Sequence, residues 1–275
     1  RRFRASHRPD QVVVMPEMLE IEIYRRAAAA SLGRRIVAVD APDAWFLKGG
    51  TDQAAVVTAL VGRTFVNDRR RGKLLLLDTS DDGPTLGLRF GMTGVLELDG
   101  VDAIDGLEYS SHRKDPAWER FVVHFDGGGA LRLRDPRRLG GVELDPDEER
   151  LGPDAGDVSL AQLTSVLADS NAPLKARLMD QARIAGLGNL LTDETLWRAG
   201  LDPARAAGSL TIDEVAALRK SMRSTLRVLG RRGGSHMGDL QDSRHRGGTC
   251  PTDGAVLLRR TIGGRTTYSC PQHQR

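Results

Sequence analysis

The chain has 275 residues, a formal net charge of +3 at pH 7, and 40% hydrophobic but only 4% aromatic residues. Its length fits two domains at roughly 100–200 residues each, and its apolar content is ordinary for a globular core. No run approaches the ~20 apolar residues of a membrane span, and two cysteines, Cys250 and Cys270, are too few for a disulfide framework.

Residues 1–14 are basic and lack the apolar centre of a secretory signal, so a reducing cytoplasm is the expected compartment. Met15-Pro16-Glu17 reads as the start of the folded chain. Residues 18–32 predict a helix with apolar positions recurring at three to four and Gly33 as its stop. Strand-like runs follow: IVAVDA, KLLLLDT after RRRG, TLGLRF and GVLELDG. FVVHFDGG and ALRLRD form a hairpin closed by its glycines. The acidic, Pro- and Gly-punctuated stretch at 146–158 reads as a linker. Helical patterns then run through SLAQLTSVLADS, PLKARLMDQARI, NLLTDETLWRAG and TIDEVAALRKSMRSTLRVLG, the last capped by Ser209 or Thr211. The end of the chain reads as a small hairpin between two Cys-containing turns.

The predicted domains are therefore a β-rich unit at 15–145, helices at 159–235 and a hairpin at 245–275. From Arg219 onward the only acids are Asp239, Asp242 and Asp253, an electrostatic footprint for a polyanion.

Six short constellations carry chemistry. Met before Pro is normally removed, which leaves Pro16 with a free α-amine of pKa roughly 7.7–8.0, a ready Schiff-base nucleophile. Glu17 beside it is a candidate general acid, and Glu20 lies one turn further on. Taken alone, Pro then Glu at a helix start is ordinary capping. Lys73 stands where a tight turn feeds a buried strand. Met92 projects from the turn RFGMTG, and Arg137 and Leu139 from the turn RDPRRLGG; an apolar tip with an arginine suits a wedge in a base stack. In IAGLGNLL, Gly186 and Gly188 permit an unusual turn, with Asn189 capping the next helix and free amides for phosphate. Lys175 would add positive charge nearby. Finally, Cys250 with Asp253 and Cys270 with His273 have the pair spacing of a zinc ribbon. A carboxylate is a hard ligand for such a site.

In this order, the pieces resemble the formamidopyrimidine-DNA glycosylase / endonuclease VIII family of base-excision repair enzymes, from Met15 to Arg275. The Pro-Glu start, the LMDQARIAGLGNLLTDETLWRAGLDP block and the GGRTTYSCP hairpin carry the likeness most specifically. The resemblance implies an α+β protein: an N-terminal β-sandwich with flanking helices, then a helix–two-turn–helix domain and a zinc-finger hairpin. It implies a monomer that acts on damaged double-stranded DNA without membrane attachment, as a bifunctional glycosylase and abasic-site lyase. Pro16 would attack the sugar, Glu17 would protonate it, and β,δ-elimination would cut the strand. Glu20 matches a further acid, and Lys73 a lysine on the phosphate beside the lesion. Asn189 and Arg265 match phosphate clamps, and Met92, Arg137 and Leu139 match the trio that fills the vacated base stack. The four ligands would hold structural zinc.

The chain departs from the family pattern in four places. Residues 1–14, if retained, make the Pro16 nitrogen an amide. Asp253 and His273 stand where most relatives have cysteine. Leu139 replaces a usual phenylalanine. The stretch 233–250 looks shorter than its counterpart in relatives specific for 8-oxoguanine, which points to oxidised pyrimidines, ring-opened purines or abasic sites. The alternative function is a catalytically silent damaged-DNA-binding protein of the same fold.

Overall fold

The structure, a computed structural model, describes residues 16–104 and 115–275. Two antiparallel sheets form the N-terminal part. One has the order β1 (Ile36–Asp40), β7 (Glu119–Phe125), β8 (Ala130–Arg134), β5 (Val95–Leu98), β6 (Val101–Asp102). The other runs β2 (Phe65–Arg71), β3 (Leu74–Thr79), β4 (Leu86–Arg89), β9 (Gly141–Leu144). Leu75, Leu77, Leu88, Phe121, Leu131 and Leu133 meet in the core between them. Helix α1 (Met18–Ala28) packs on β2 and β3; its Ile21 and Tyr24 enter the same core, and the Tyr24 hydroxyl donates to Gly94 O at 3.0 Å.

Helix α2 (Gln53–Leu60), β2 and β9 escaped the sequence reading. In α2 a run of valine and threonine hides a helix that Asp52 caps through Ala55 N at 2.7 Å. Strand β2 is charged at each of its last four positions, Asp68 to Arg71, so it shows no alternation; its register against the leucines of β3 defines it.

The second core belongs to α3 (Leu160–Leu167), α4 (Leu174–Met179), α5 (Asn189–Ala199) and α6 (Ile212–Arg232). Thr211 caps α6, its hydroxyl accepting from Glu214 N at 3.3 Å while Glu214 accepts from Thr211 N at 2.8 Å. The predicted helix through PLKARLMDQARI is shorter than expected, because α4 ends at Met179 and the chain turns toward Gly188. The expected linker is packed. Ala155 and Val158 lie in the helical core, and Asp154 binds Arg70 and Gly72 N of the sandwich. A third, small core of Trp197, Leu240, Leu257, Tyr268 and the two cysteines holds the hairpin of β10 (Leu258–Ile262) and β11 (Arg265–Ser269). Among the described residues, no helix is long and apolar enough to cross a membrane.

Candidate active site and nucleic-acid interface

The sandwich and the helical part meet at the start of α1. Pro16 and Glu17 are both buried there. The Glu17 carboxylate crosses the seam: Oε2 accepts from Gly188 N at 2.6 Å and Leu191 N at 3.2 Å, and Oε1 accepts from Leu190 N at 2.8 Å. It therefore caps α5 from outside. This corrects the expectation for Asn189, which is the first residue of α5 and makes no capping bond; Gly188 is the cap position. The amides at this helix start are also not free, because Glu17 takes them. Gly186 has φ +114°, as its turn requires, but Gly188 has an ordinary φ of −124°. Glycine at 188 is a matter of space, since a Cβ would lie 2.3 Å from the Glu17 carboxyl carbon.

Burial pushes the Glu17 carboxyl up to about 6, with Glu20 adding to the rise; the nearby Lys73 ammonium and the α5 amides pull the other way without cancelling it. Lys73 itself is held below the usual lysine range, chiefly by burial and in part by the charge of Arg265, against the pull of Glu17 and Glu20. Four groups from α1, the β2–β3 turn and the hairpin tip thus share one electrostatic neighbourhood.

Glu20 is the second pin across the seam. One oxygen accepts from Glu17 N at 2.8 Å, and the other from Ser235 N at 2.6 Å and Ser235 Oγ at 2.8 Å. Ser235 went unnoticed in the sequence. It lies 215 positions away, after Gly233-Gly234, and only the fold brings it to Glu20.

The three residues expected to form a wedge occupy two adjoining turns of the sandwich. Leu139 is 51% exposed, Arg137 is exposed and Met92 is half-buried. The buried carboxylate of Asp135 ties the turns together. It accepts from Thr93 Oγ1 at 2.6 Å, and from the backbone nitrogens of Arg137, Leu139 and Gly140 at 3.1, 2.8 and 2.8 Å. Arg138, at φ +57°, turns back to bind Asp43, which leaves Arg137 and Leu139 outward. Asp135 was also missed; an Asp-Pro-Arg turn was the only signal for it.

Lys175 does not reach a DNA surface. Its ammonium is fully buried, 2.7 Å from Asp193 Oδ1 and bonded to Thr267 Oγ1 at 2.8 Å. Burial holds its pKa down, and the Asp193 charge opposes this. Arg244 pairs with the same aspartate. A buried charge needs such partners, and here they fasten the β10–β11 hairpin to α5 so that Arg265 is exposed at its tip.

In the finger, ligand atoms of Cys250, Asp253, Cys270 and His273 all lie within 4.8 Å of one another. Asp253 Oδ2 is 3.1 Å from Cys270 Sγ and 3.0 Å from His273 Nδ1. Backbone N–H groups of Thr252 and Gln272 point at the two sulfurs at 3.4 Å, and the Trp197 indole N–H at Cys250 Sγ at 3.3 Å. His273 Nε2 lies 3.1 Å from Trp197 O, which leaves Nδ1 for the cluster. The donor set fits a divalent metal that accepts sulfur, nitrogen and oxygen ligands.

Both parts of the chain have relatives among known proteins. The family model described as the formamidopyrimidine-DNA glycosylase N-terminal domain matches residues 15–142, and the one for the H2TH domain of the same enzymes matches residues 151–239. The formamidopyrimidine-DNA glycosylase of Roseiflexus sp. (strain RS-1) is 33% identical, over 95% of this chain and 100% of the relative. That of Paracoccus denitrificans is 34% identical, over 94% and 99%. The Lactococcus lactis enzyme in complex with DNA containing an abasic site superposes with a TM-score of 0.79 at 25% identity, covering 94% of this chain and 100% of the other. Its complex with Fapy-dG-containing DNA gives the same values.

Proposed function

Because the chain belongs to the formamidopyrimidine-DNA glycosylase family and is a DNA glycosylase of base-excision repair, we propose that it works through Pro16 as the nucleophile of a combined glycosylase and abasic-site lyase. The Pro16 nitrogen attacks C1′ of an extruded nucleotide and the damaged base leaves. Glu17 gives its proton to the sugar ring oxygen as the ring opens, and an iminium links protein and sugar. Loss of a C2′ proton then expels the 3′ phosphate, and a second elimination expels the 5′ phosphate. The observation that carries this reading is Glu17 itself: a buried carboxyl at about 6, next in sequence to Pro16 and beside Lys73. An acid near that value is well matched to proton transfer at neutral pH.

Lys73, Asn189 and Arg265 hold phosphates around the lesion, while Met92, Arg137 and Leu139 occupy the space the base vacates. Flipping costs a few kcal/mol, which the inserted side chains offset. Oxidised and ring-opened bases are the substrates. The enzyme acts as a monomer in the bacterial cytoplasm. Cys250, Asp253, Cys270 and His273 hold zinc, which when bound fixes the two turns of the finger and so the aim of Arg265.

Borohydride trapping tests the central step. Protein whose first residue is Pro16 forms a covalent adduct with abasic duplex. The chain carrying residues 1–15 forms none, because its Pro16 nitrogen is an amide. Equal trapping of both forms would place the nucleophile elsewhere.

A further inference from the structure

One face of α6 carries charge that the excision site does not use. Arg219, Arg223 and Arg227 recur every fourth residue, with Lys220 beside them. At 1.5 Å rise per residue their anchor points stand ~6 Å apart in a row, a separation comparable with that of successive phosphates along a strand. They line an open groove of about 550 Å³, together with Ser224 and Gly156, and no carboxylate lines it. Many arginines of this chain are neutralised: Arg25 by Glu22, Arg70 by Asp154, Arg205 by Glu214 and Arg260 by Asp202. Among the described residues, no carboxylate forms a salt bridge with Lys220, Arg223 or Arg227. Arg219 uses its Nε on Val158 O at 2.7 Å, which leaves its terminal nitrogens. Like charges one helical turn apart repel, so the groove keeps an unbalanced positive potential.

The groove is separate from the catalytic seam. Met18 stands between them, its sulfur against Gly186 and its methyl toward Gly156, whereas Glu17 lies against Gly188. The opposite side of α6 is packed away, with Leu218, Met222 and Leu229 in the helical core and Ser221 bonded to Thr195 O of α5.

We propose that this groove is a second DNA-backbone site, which takes the phosphates of an undamaged duplex segment while the seam holds the lesion. A regular row of cations over small residues suits a polyanion of evenly spaced charge and carries no base-reading group. An acidic peptide is the poorer fit: the one large apolar lining residue, Leu226, is 8% exposed, so a peptide's apolar anchor has nothing to enter. Such a site lets one molecule bridge two duplex segments and pass between them without full release. The proposal depends on DNA binding but not on the Pro16 chemistry.

The test saturates the seam with a short duplex carrying a non-cleavable abasic analogue, then titrates a fluorescent undamaged duplex of a second length. The wild-type protein binds both. Arg223→Glu with Arg227→Glu weakens the second duplex by about tenfold or more and flattens its salt dependence by about 0.9 per lost phosphate contact. Affinity for the first duplex and single-turnover excision on a short lesion duplex stay unchanged; Arg223→Gln with Arg227→Gln gives a smaller loss in the same direction. Failure of the second duplex to bind, or equal binding by the variants, overturns the proposal. So does a parallel loss of affinity for the first duplex, which would make this face part of the main cleft. Displacement of the second duplex by poly-glutamate at lower charge concentration than by unlabelled duplex would assign the groove to an acidic peptide.

Discussion

Asp135 and Glu17 are both buried carboxylates that collect several hydrogen-bond donors, yet they do different work. All the donors to Asp135 come from its own domain, three of them from the five residues that follow it. It is a staple for a turn, and Arg137 and Leu139, the proposed wedge, are positioned by the sandwich alone. Glu17 takes its donors from a helix more than 170 residues away, and shares its pocket with Glu20 and Lys73. Its environment exists only when the two halves are docked. The groups proposed to fill the base stack are thus prefabricated locally, whereas the group proposed to move a proton is assembled at the seam.

The same isosteric change at the two positions separates these roles. Glu17→Gln removes the proposed proton donor, and excision falls by about 10²- to 10⁴-fold in single-turnover assays; excision within threefold of wild type would remove Glu17 from the chemistry. Asp135→Asn leaves one oxygen where two were needed and turns an NH₂ group toward N–H donors. It costs about 2–3 kcal/mol in denaturant unfolding and weakens lesion binding through Leu139 and Arg137. Glu17→Gln combines two opposing effects on stability, because Gln also turns an NH₂ group toward amide donors yet escapes the cost of a buried charge. The folded carboxyl sits at about 6 against a reference of 4.5, so folding binds an extra proton between those values. The wild type therefore bears a penalty above pH 6 that disappears below pH 4.5. Glu17→Gln escapes it, so measured against wild type the variant loses about 2 kcal/mol as the pH falls from 8 to 4.5. A stability difference that stays the same between pH 4.5 and pH 8 would mean that folding does not raise the Glu17 carboxyl.

The sequence disclosed much of what depends on neighbours along the chain, α2 excepted. The leading helix, the strand KLLLLDT, the hairpin at FVVHFDGG, the box at Thr211 and the four convergent finger ligands all follow from local period, cap or spacing. It could not disclose what the seam creates. Asn189 looked like a helix cap because asparagine after glycine often is one, but a glutamate from the other domain holds those amides. Lys175 looked like surface charge because a lysine on a short helix usually is exposed; the buried Asp193 that claims it lies on another helix. Strand β2 was hidden because its charged side chains find partners far along the chain, Arg69 at Glu148 and Arg70 at Asp154.

Ser235 carries the smallest effect and the sharpest distinction. Its backbone nitrogen and hydroxyl both reach the Glu20 oxygen, while the other Glu20 oxygen holds the backbone nitrogen of Glu17, next to Pro16. Ser235→Ala keeps the backbone bond and loses only the hydroxyl, so about 1 kcal/mol is at stake. Spent on stability alone, that loss would lower the unfolding midpoint and leave the rate constants unchanged. If Ser235 positions the catalytic end of α1, it appears instead in kcat, as a fall of roughly fivefold with KM for a short abasic duplex unchanged. Ser235→Thr, which restores a hydroxyl, recovers most of the rate. A change in KM alone, or no rescue by threonine, would confine Ser235 to holding the end of α6 in place.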